Sequence, residues 1–142
     1  MQTCPFCRPM TDEMKERILA ENDHAIATFD DEFREGHCLV TLKEHKESIS
    51  QLTPTEYNAL FELAVKASKA LETKYSVPKT YMLSIGDHVQ HFHIHLIPKH
   101  QHLCGMGVYC FQGLRKVEGI RKPDEIKTKA LVKELKEIIA KL

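Results

Sequence analysis

Apolar positions run along the chain in two different rhythms. "RILAENDHAIATFD" reads as two short strands, Arg17 to Glu21 and His24 to Phe29, joined at Asn22-Asp23, a pair that favours turns. "DEFREG" is charged, ends in Gly36 and reads as a loop, and the β-branched, apolar "HCLVTL" predicts a strand from His37 to Leu42. The period then lengthens. In "LTPTEYNALFELAVKASKALETKY", Tyr57, Leu60, Phe61, Ala64, Ala67, Leu71 and Tyr75 recur at helical spacing. Thr53 is a natural N-cap, Pro54 suits the first helical position, and Glu56 completes a capping box. "TYMLSI" and "HVQHFHIHLIP" return to strand character, with Gly86-Asp87 turning between them. Residues 99–122 are irregular and carry four glycines: Gly105, Gly107, Gly113 and Gly119. A last helix, 123–142, opens near Pro123-Asp124. It is expected to bury Ile126, Ala130, Leu131, Leu135, Ile138 and Leu142 beneath a lysine-bearing face. Short turns between consecutive strands argue for an antiparallel sheet. The fold class is therefore α+β: about five strands, one long central helix and a C-terminal helix.

Length and charge narrow the function. The 142 residues fit one domain, 1–142, with 42% hydrophobic content for a core. Lys plus Arg balances Asp plus Glu at 20 each, which argues against binding a nucleic-acid polymer and leaves room for local phosphate recognition. There is no apolar run of membrane-spanning length and no signal-peptide core, so the expectation is a cytoplasmic protein without membrane association. An odd number of cysteines, five, argues against a disulfide framework and for metal binding or burial. Of nine histidines, five lie between His88 and His100.

His91, His93 and His95 in "VQHFHIHLIPKH" alternate with Phe92, Ile94 and Leu96. In a strand, residues two apart share a face, so the three imidazoles would point one way. A solvent face normally uses Lys, Thr or Glu instead. A metal held by the triad alone is disfavoured, because three ligands in a row along a strand do not converge on one ion. A third reading is an anion-handling site, in which one imidazole attacks phosphorus while its neighbours donate hydrogen bonds to phosphate oxygens. Cys4 and Cys7 form a Cys-x-x-Cys pair, half of a tetrahedral zinc site or simply two thiols near the chain start.

The run His91-Phe92-His93-Ile94-His95-Leu96-Ile97 resembles the signature of the histidine triad (HIT) family at every position. "GDHVQHFHIHLIPK", "GHCLVTLKEH" and "CPFC" resemble three further family segments, in the right order over residues 4 to 99. The resemblance implies a nucleotide-binding hydrolase that cleaves a phosphoanhydride or phosphoramidate bond at the α-phosphate. His93 would be the nucleophile, forming a covalent nucleotidyl-histidine that water resolves to a nucleoside monophosphate. His95 would donate to the phosphate, and His37 would stand behind the site or be a satisfied core histidine. Dinucleoside polyphosphates and nucleoside phosphoramidates are the implied substrates. Two alternatives stay open, a nucleotidyl transferase and a nucleotide-binding scaffold with weak activity. The family also implies a homodimer and a structural zinc in which His45 and His91 join Cys4 and Cys7 of the 1–10 segment.

Several positions depart from the family pattern. Asp87 stands where most members have glutamine, and His88 follows where hydroxyl residues are common. His88 is thus a candidate leaving-group acid and Asp87 either a substrate contact or a turn residue. Ser84 is the nearest counterpart of a substrate-contacting asparagine, and Leu42 replaces a proline. "TFDD" offers Asp30 and Asp31 for the ribose hydroxyls, with Asp31 favoured by its position relative to Phe29. Cys38 is expected in the core; Cys104 and Cys110 have no assigned role.

Overall fold

Asn22 makes the first turn. Its Oδ1 accepts from the backbone N–H groups of His24 and Ala25 at 3.1 and 2.9 Å, so the side chain takes the place of a backbone partner. Strands β1 (Ile18–Glu21) and β2 (Ala25–Phe29) leave this turn antiparallel. The computed structural model describes residues 4–30, 35–101 and 124–142. Asp31, Cys104 and Cys110 lie outside the described residues, as does most of the irregular 99–122 stretch. A short helix α1 (Asp12–Glu16), absent from the sequence expectation, precedes β1 with Thr11 as its N-cap. Strands β3 (Cys38–Leu42), β4 (Thr80–Leu83) and β5 (His93–Pro98) complete a five-stranded sheet in the order β1-β2-β3-β5-β4, every pairing antiparallel.

Helix α2 (Pro54–Tyr75) starts as its sequence dictates. Thr53 Oγ1 accepts from the Glu56 N–H at 3.3 Å, and Glu56 Oε2 accepts from the Thr53 N–H at 2.7 Å. Leu60, Leu63, Ala64, Ala67, Ala70 and Leu71 are buried against one face of the sheet, where Ala25, Ala27, Phe29, Cys38, Val40, Ile94 and Leu96 meet them. Each leucine so buried contributes about 2 kcal/mol. Helix α3 (Glu125–Ala140) adds Val132 and Leu135 to the same core. Both long helices thus lie on the core face. The other face of β2, β3 and β5 is left for chemistry.

Three expectations need correction. The buried arc of α2 is rotated from the expected stripe: Tyr57 and Phe61 are 43% and 38% exposed. Small alanines let the helix approach the sheet on a side that a count of large residues underweights. In α3, Ile126 and Leu142 are 82% and 59% exposed and Ala130 is exposed too, while Thr128 and Val132 are buried. Strand β5 begins at His93, not His88: Thr41↔His93 is the last register pair with β3, beyond which only the Leu42 N–H reaches the Phe92 carbonyl, at 3.3 Å. His91 therefore sits before the strand, and residues 87–89 form a bend after Gly86, whose φ is 75°.

Candidate active site

The three triad histidines do not share one job, because their ring nitrogens are engaged differently. His93 Nδ1 lies 2.6 Å from the His91 carbonyl oxygen. A carbonyl only accepts, so Nδ1 carries the proton and Nε2 carries the lone pair. Ser84 Oγ donates to the His93 carbonyl at 2.7 Å and braces the strand there. Its proton is committed, so toward a substrate it offers only lone pairs. The His93 ring is buried beneath Phe6, whose ring meets it edge-on at 5.1 Å between centroids.

His91 is arranged the other way round. Its Nε2–H donates to the Leu42 carbonyl at 2.6 Å, and its Nδ1 is 3.4 and 3.5 Å from the sulfurs of Cys4 and Cys7. His45 Nδ1 completes the group, 3.2 Å from Cys7 Sγ and 3.2 Å from His91 Nδ1. All four ligand atoms lie within 4.8 Å of one another. A tetrahedral zinc with bonds of about 2.0–2.3 Å needs donor separations of roughly 3.3–3.8 Å, so the donor set fits that metal. The Cys7 N–H bonded to the Cys4 carbonyl at 3.2 Å closes the loop that brings both sulfurs together. Desolvation, then the hydrogen bond and charge of Cys4, push the Cys7 thiol up, a cost that a dication reverses. Burial pushes the His91 imidazole down, with the charges of His45 and His93 adding to it and the Leu42 hydrogen bond opposing. It is thereby kept in the neutral form a metal requires.

His95 faces a third partner. Leu39 is its cross-strand neighbour, and His37 follows diagonally on the same face. His37 Nε2 and His95 Nδ1 are 2.9 Å apart, with ring planes 15° from parallel. His37 is fully buried, and its Nδ1 lies 3.0 Å from Asp30 Oδ2. Burial, then the neighbouring His37 and His93, push His95 down to about 4, so it is neutral near pH 7. Gly36 precedes His37 with a φ of 83°, and a Cβ there would stand 2.5 Å from the Tyr75 ring.

Of the residues singled out from sequence, the structure brings His93, His95 and His37 together, and groups Cys4, Cys7, His45 and His91 beside them. Asp87 and His88 are exposed in the bend, and no ion pair joins them among the described residues. Cys38 is buried, as expected. Phe6 is a contact that sequence reading did not weigh, and Asp30, offered there beside the favoured Asp31 as a ribose contact, stands against His37. Asp30 could have been found from register: Phe29↔Cys38 is a pair, so the next pair outward sets Asp30 opposite His37.

The HIT domain family model matches residues 11–102, and the chain belongs to that family. It is 30% identical over 108 residues to the adenosine 5'-monophosphoramidase of Schizosaccharomyces pombe, covering 75% of this chain and 81% of that one. Its fold is that of a histidine triad nucleotide-binding protein from Sulfolobus tokodaii, with TM-score 0.74, 20% identity, and 98% and 93% of the two chains covered. It also matches a zinc-bound histidine triad family protein from Mycobacterium smegmatis, with TM-score 0.67, 19% identity, and 99% and 95% covered.

Proposed function

We propose that this protein is a nucleotide hydrolase that cleaves a P–N or P–O–P bond at the α-phosphate through a nucleotidyl-His93 intermediate. The observation that carries the reading is the 2.6 Å contact between His93 Nδ1 and the His91 carbonyl. It fixes the tautomer whose Nε2 is nucleophilic without prior loss of a proton. His95 Nε2 supplies the hydrogen bond to the phosphate and is better placed than the exposed His88 to protonate the leaving group. The phosphoramidase relative makes nucleoside phosphoramidates the first substrates to try.

Zinc belongs to this reading as a structural ion held by Cys4, Cys7, His45 and His91. When bound it supplies a cross-link, not a reagent, since four protein ligands leave no open position. The Cys4 to Cys7 loop carries Phe6 onto the His93 ring, so the ion would also hold the cover of the nucleophile in place. A cytoplasmic setting suits the free thiols of Cys4, Cys7 and Cys38.

The reading includes a homodimer. Strand β4 is a sheet edge, and Met82 on it is 54% exposed. Tyr57, Phe61 and Val65 form an exposed apolar row at four-residue spacing on α2. Sedimentation at micromolar concentration should give twice the 16.3 kDa chain mass, and a single-chain mass would remove this part.

The test is a panel of adenosine phosphoramidate, dinucleoside polyphosphates and aminoacyl adenylates, with products assigned with and without a sugar-phosphate acceptor. Release of a nucleoside monophosphate that needs His93 supports hydrolysis. Transfer to the acceptor replaces it with a transferase, and tight binding without turnover of any of them replaces it with a binding protein.

A further inference from the structure

We propose that Asp30 is a positioning residue for this reaction, acting through His37: its carboxylate holds a proton on the His37–His95 pair, so that His95 presents Nε2–H to the leaving group. This rests on the hydrolase reading above and adds the source of its proton.

Strand register places the three groups in line. The Asp30 N–H donates to the His37 carbonyl at 2.9 Å, one step beyond the Phe29↔Cys38 pair. Opposed residues share a face, so the carboxylate and the His37 ring meet on the side of the sheet away from α2. Asp30 Oδ2 is 3.0 Å from His37 Nδ1, and His37 Nε2 is 2.9 Å from His95 Nδ1.

Proton counting gives the contacts a direction. Asp30 Oδ2 lies 3.0 Å from His37 Nδ1, within ion-pair reach, and a carboxylate so close favours a proton on that nitrogen. The 2.9 Å gap between the two rings holds one more. If His37 is neutral, that proton sits on His95 Nδ1, and His95 Nε2 is a bare lone pair. If His37 is an imidazolium, its Nε2–H is the donor and His95 Nε2 carries a proton. Only the second state offers the phosphate a donor. His37 is fully buried, where an unpaired cation is costly, while the Asp30 side chain is 27% exposed and keeps its own charge hydrated. Asp30 is thus the group that favours the second state, because its carboxylate lies against the ring that would carry the charge.

The two steps then balance. His93 Nε2 forms a bond to phosphorus as the bond to the leaving group breaks. The leaving group takes the His95 Nε2 proton, and His37 passes its Nε2 proton to His95 Nδ1. Water next attacks phosphorus, and the N–P electron pair returns to His93. The water proton goes to His95 Nε2, and the Nδ1 proton returns to His37. The sum is hydrolysis with every histidine restored.

The experiment uses 15N-histidine-labelled full-length protein, wild type, Asp30→Asn and Asp30→Glu. Imidazole nitrogen spectra are recorded at pH 7 without substrate and assigned with His37→Gln and His95→Gln. Wild type should show His37 protonated on both nitrogens and His95 on Nε2. Asp30→Asn should lose one His37 proton and move the His95 proton to Nδ1. With adenosine phosphoramidate, Asp30→Asn should lower kcat at least about tenfold at unchanged KM, and Asp30→Glu should recover part of it. Spectra of wild type and Asp30→Asn that agree at both rings would overturn the proposal, as would unchanged kcat. The spectra need no turnover, so they decide the relay even if the chain hydrolyses no nucleotide. A hydrolase that depends on His93 but shows no change on losing the Asp30 carboxylate sinks the relay alone.

Discussion

His93 and His91 are tied by a 2.6 Å hydrogen bond from a ring nitrogen of one to the backbone carbonyl of the other. The metal-ligating candidate thereby sets the tautomer of the candidate nucleophile, without its own ring touching the substrate side.

Gly36 should not tolerate a side chain. Its positive φ and the Tyr75 ring atom 2.5 Å from any Cβ both oppose alanine. Gly36→Ala is expected to cost more than about 1 kcal/mol in urea unfolding. It should also lower turnover, because His37 enters β3 directly after it. A midpoint equal to wild type would mean that the backbone there adapts freely.

Glu56 links stability to acid. Lys46 Nζ lies 2.7 and 2.6 Å from its two carboxylate oxygens, and the Thr53 N–H adds a third bond. The Lys46 hydrogen bonds first, then that of Thr53, lower the carboxyl from its ordinary 4.5 to about 2. A lowered folded-state value means the stabilisation is present above pH 4.5 and is lost as pH falls toward 2. Denaturation midpoints measured across that window should fall in wild type and flatten in Glu56→Gln. Parallel curves for the two proteins would assign acid sensitivity elsewhere.

Zinc should be found at one ion per chain in protein purified without chelator. The Cys4→Ser, Cys7→Ser double variant should lose it, with a lower melting temperature. Mild chelation should spare activity better than in an enzyme whose metal activates water, because His93 needs no metal to attack. Metal analysis finding no zinc in the wild type would remove the ion from the account.

Asp87 replaces a glutamine of the family pattern and is exposed in the bend after Gly86. If its carboxylate meets the phosphate chain, Asp87→Gln should raise turnover of polyphosphate substrates. Unchanged kinetics in both Asp87→Gln and His88→Ala would make the pair a turn and nothing more.

Local chemistry made much of this fold legible. Thr53, Pro54 and Glu56 specify a helix start within four residues, and Asn22 specifies a turn through its own side chain. The triad spacing was legible for a similar reason, since the family writes it in seven consecutive residues. What stayed hidden depends on register and on the angle at which elements dock. The α2 arc turned toward its alanines because close approach to the sheet outweighed the larger Tyr57 and Phe61. His91 was expected to share a strand face with His93 and His95, while the family resemblance already set it among the zinc ligands; that it stands ahead of β5, outside the strand, depends on register that a single strand pattern does not contain. Asp30 was passed over for its neighbour because its significance lies in the residue opposite, His37.

The most direct measurement is intact and peptide mass spectrometry of protein quenched during turnover of adenosine phosphoramidate. The account predicts a single nucleotide adduct on His93. The adduct should be absent in His93→Ala, whose turnover should fall more than about a hundredfold while nucleotide binding is retained. Steady hydrolysis with no adduct on His93, or His93→Ala retaining more than about a hundredth of wild-type turnover, would contradict it.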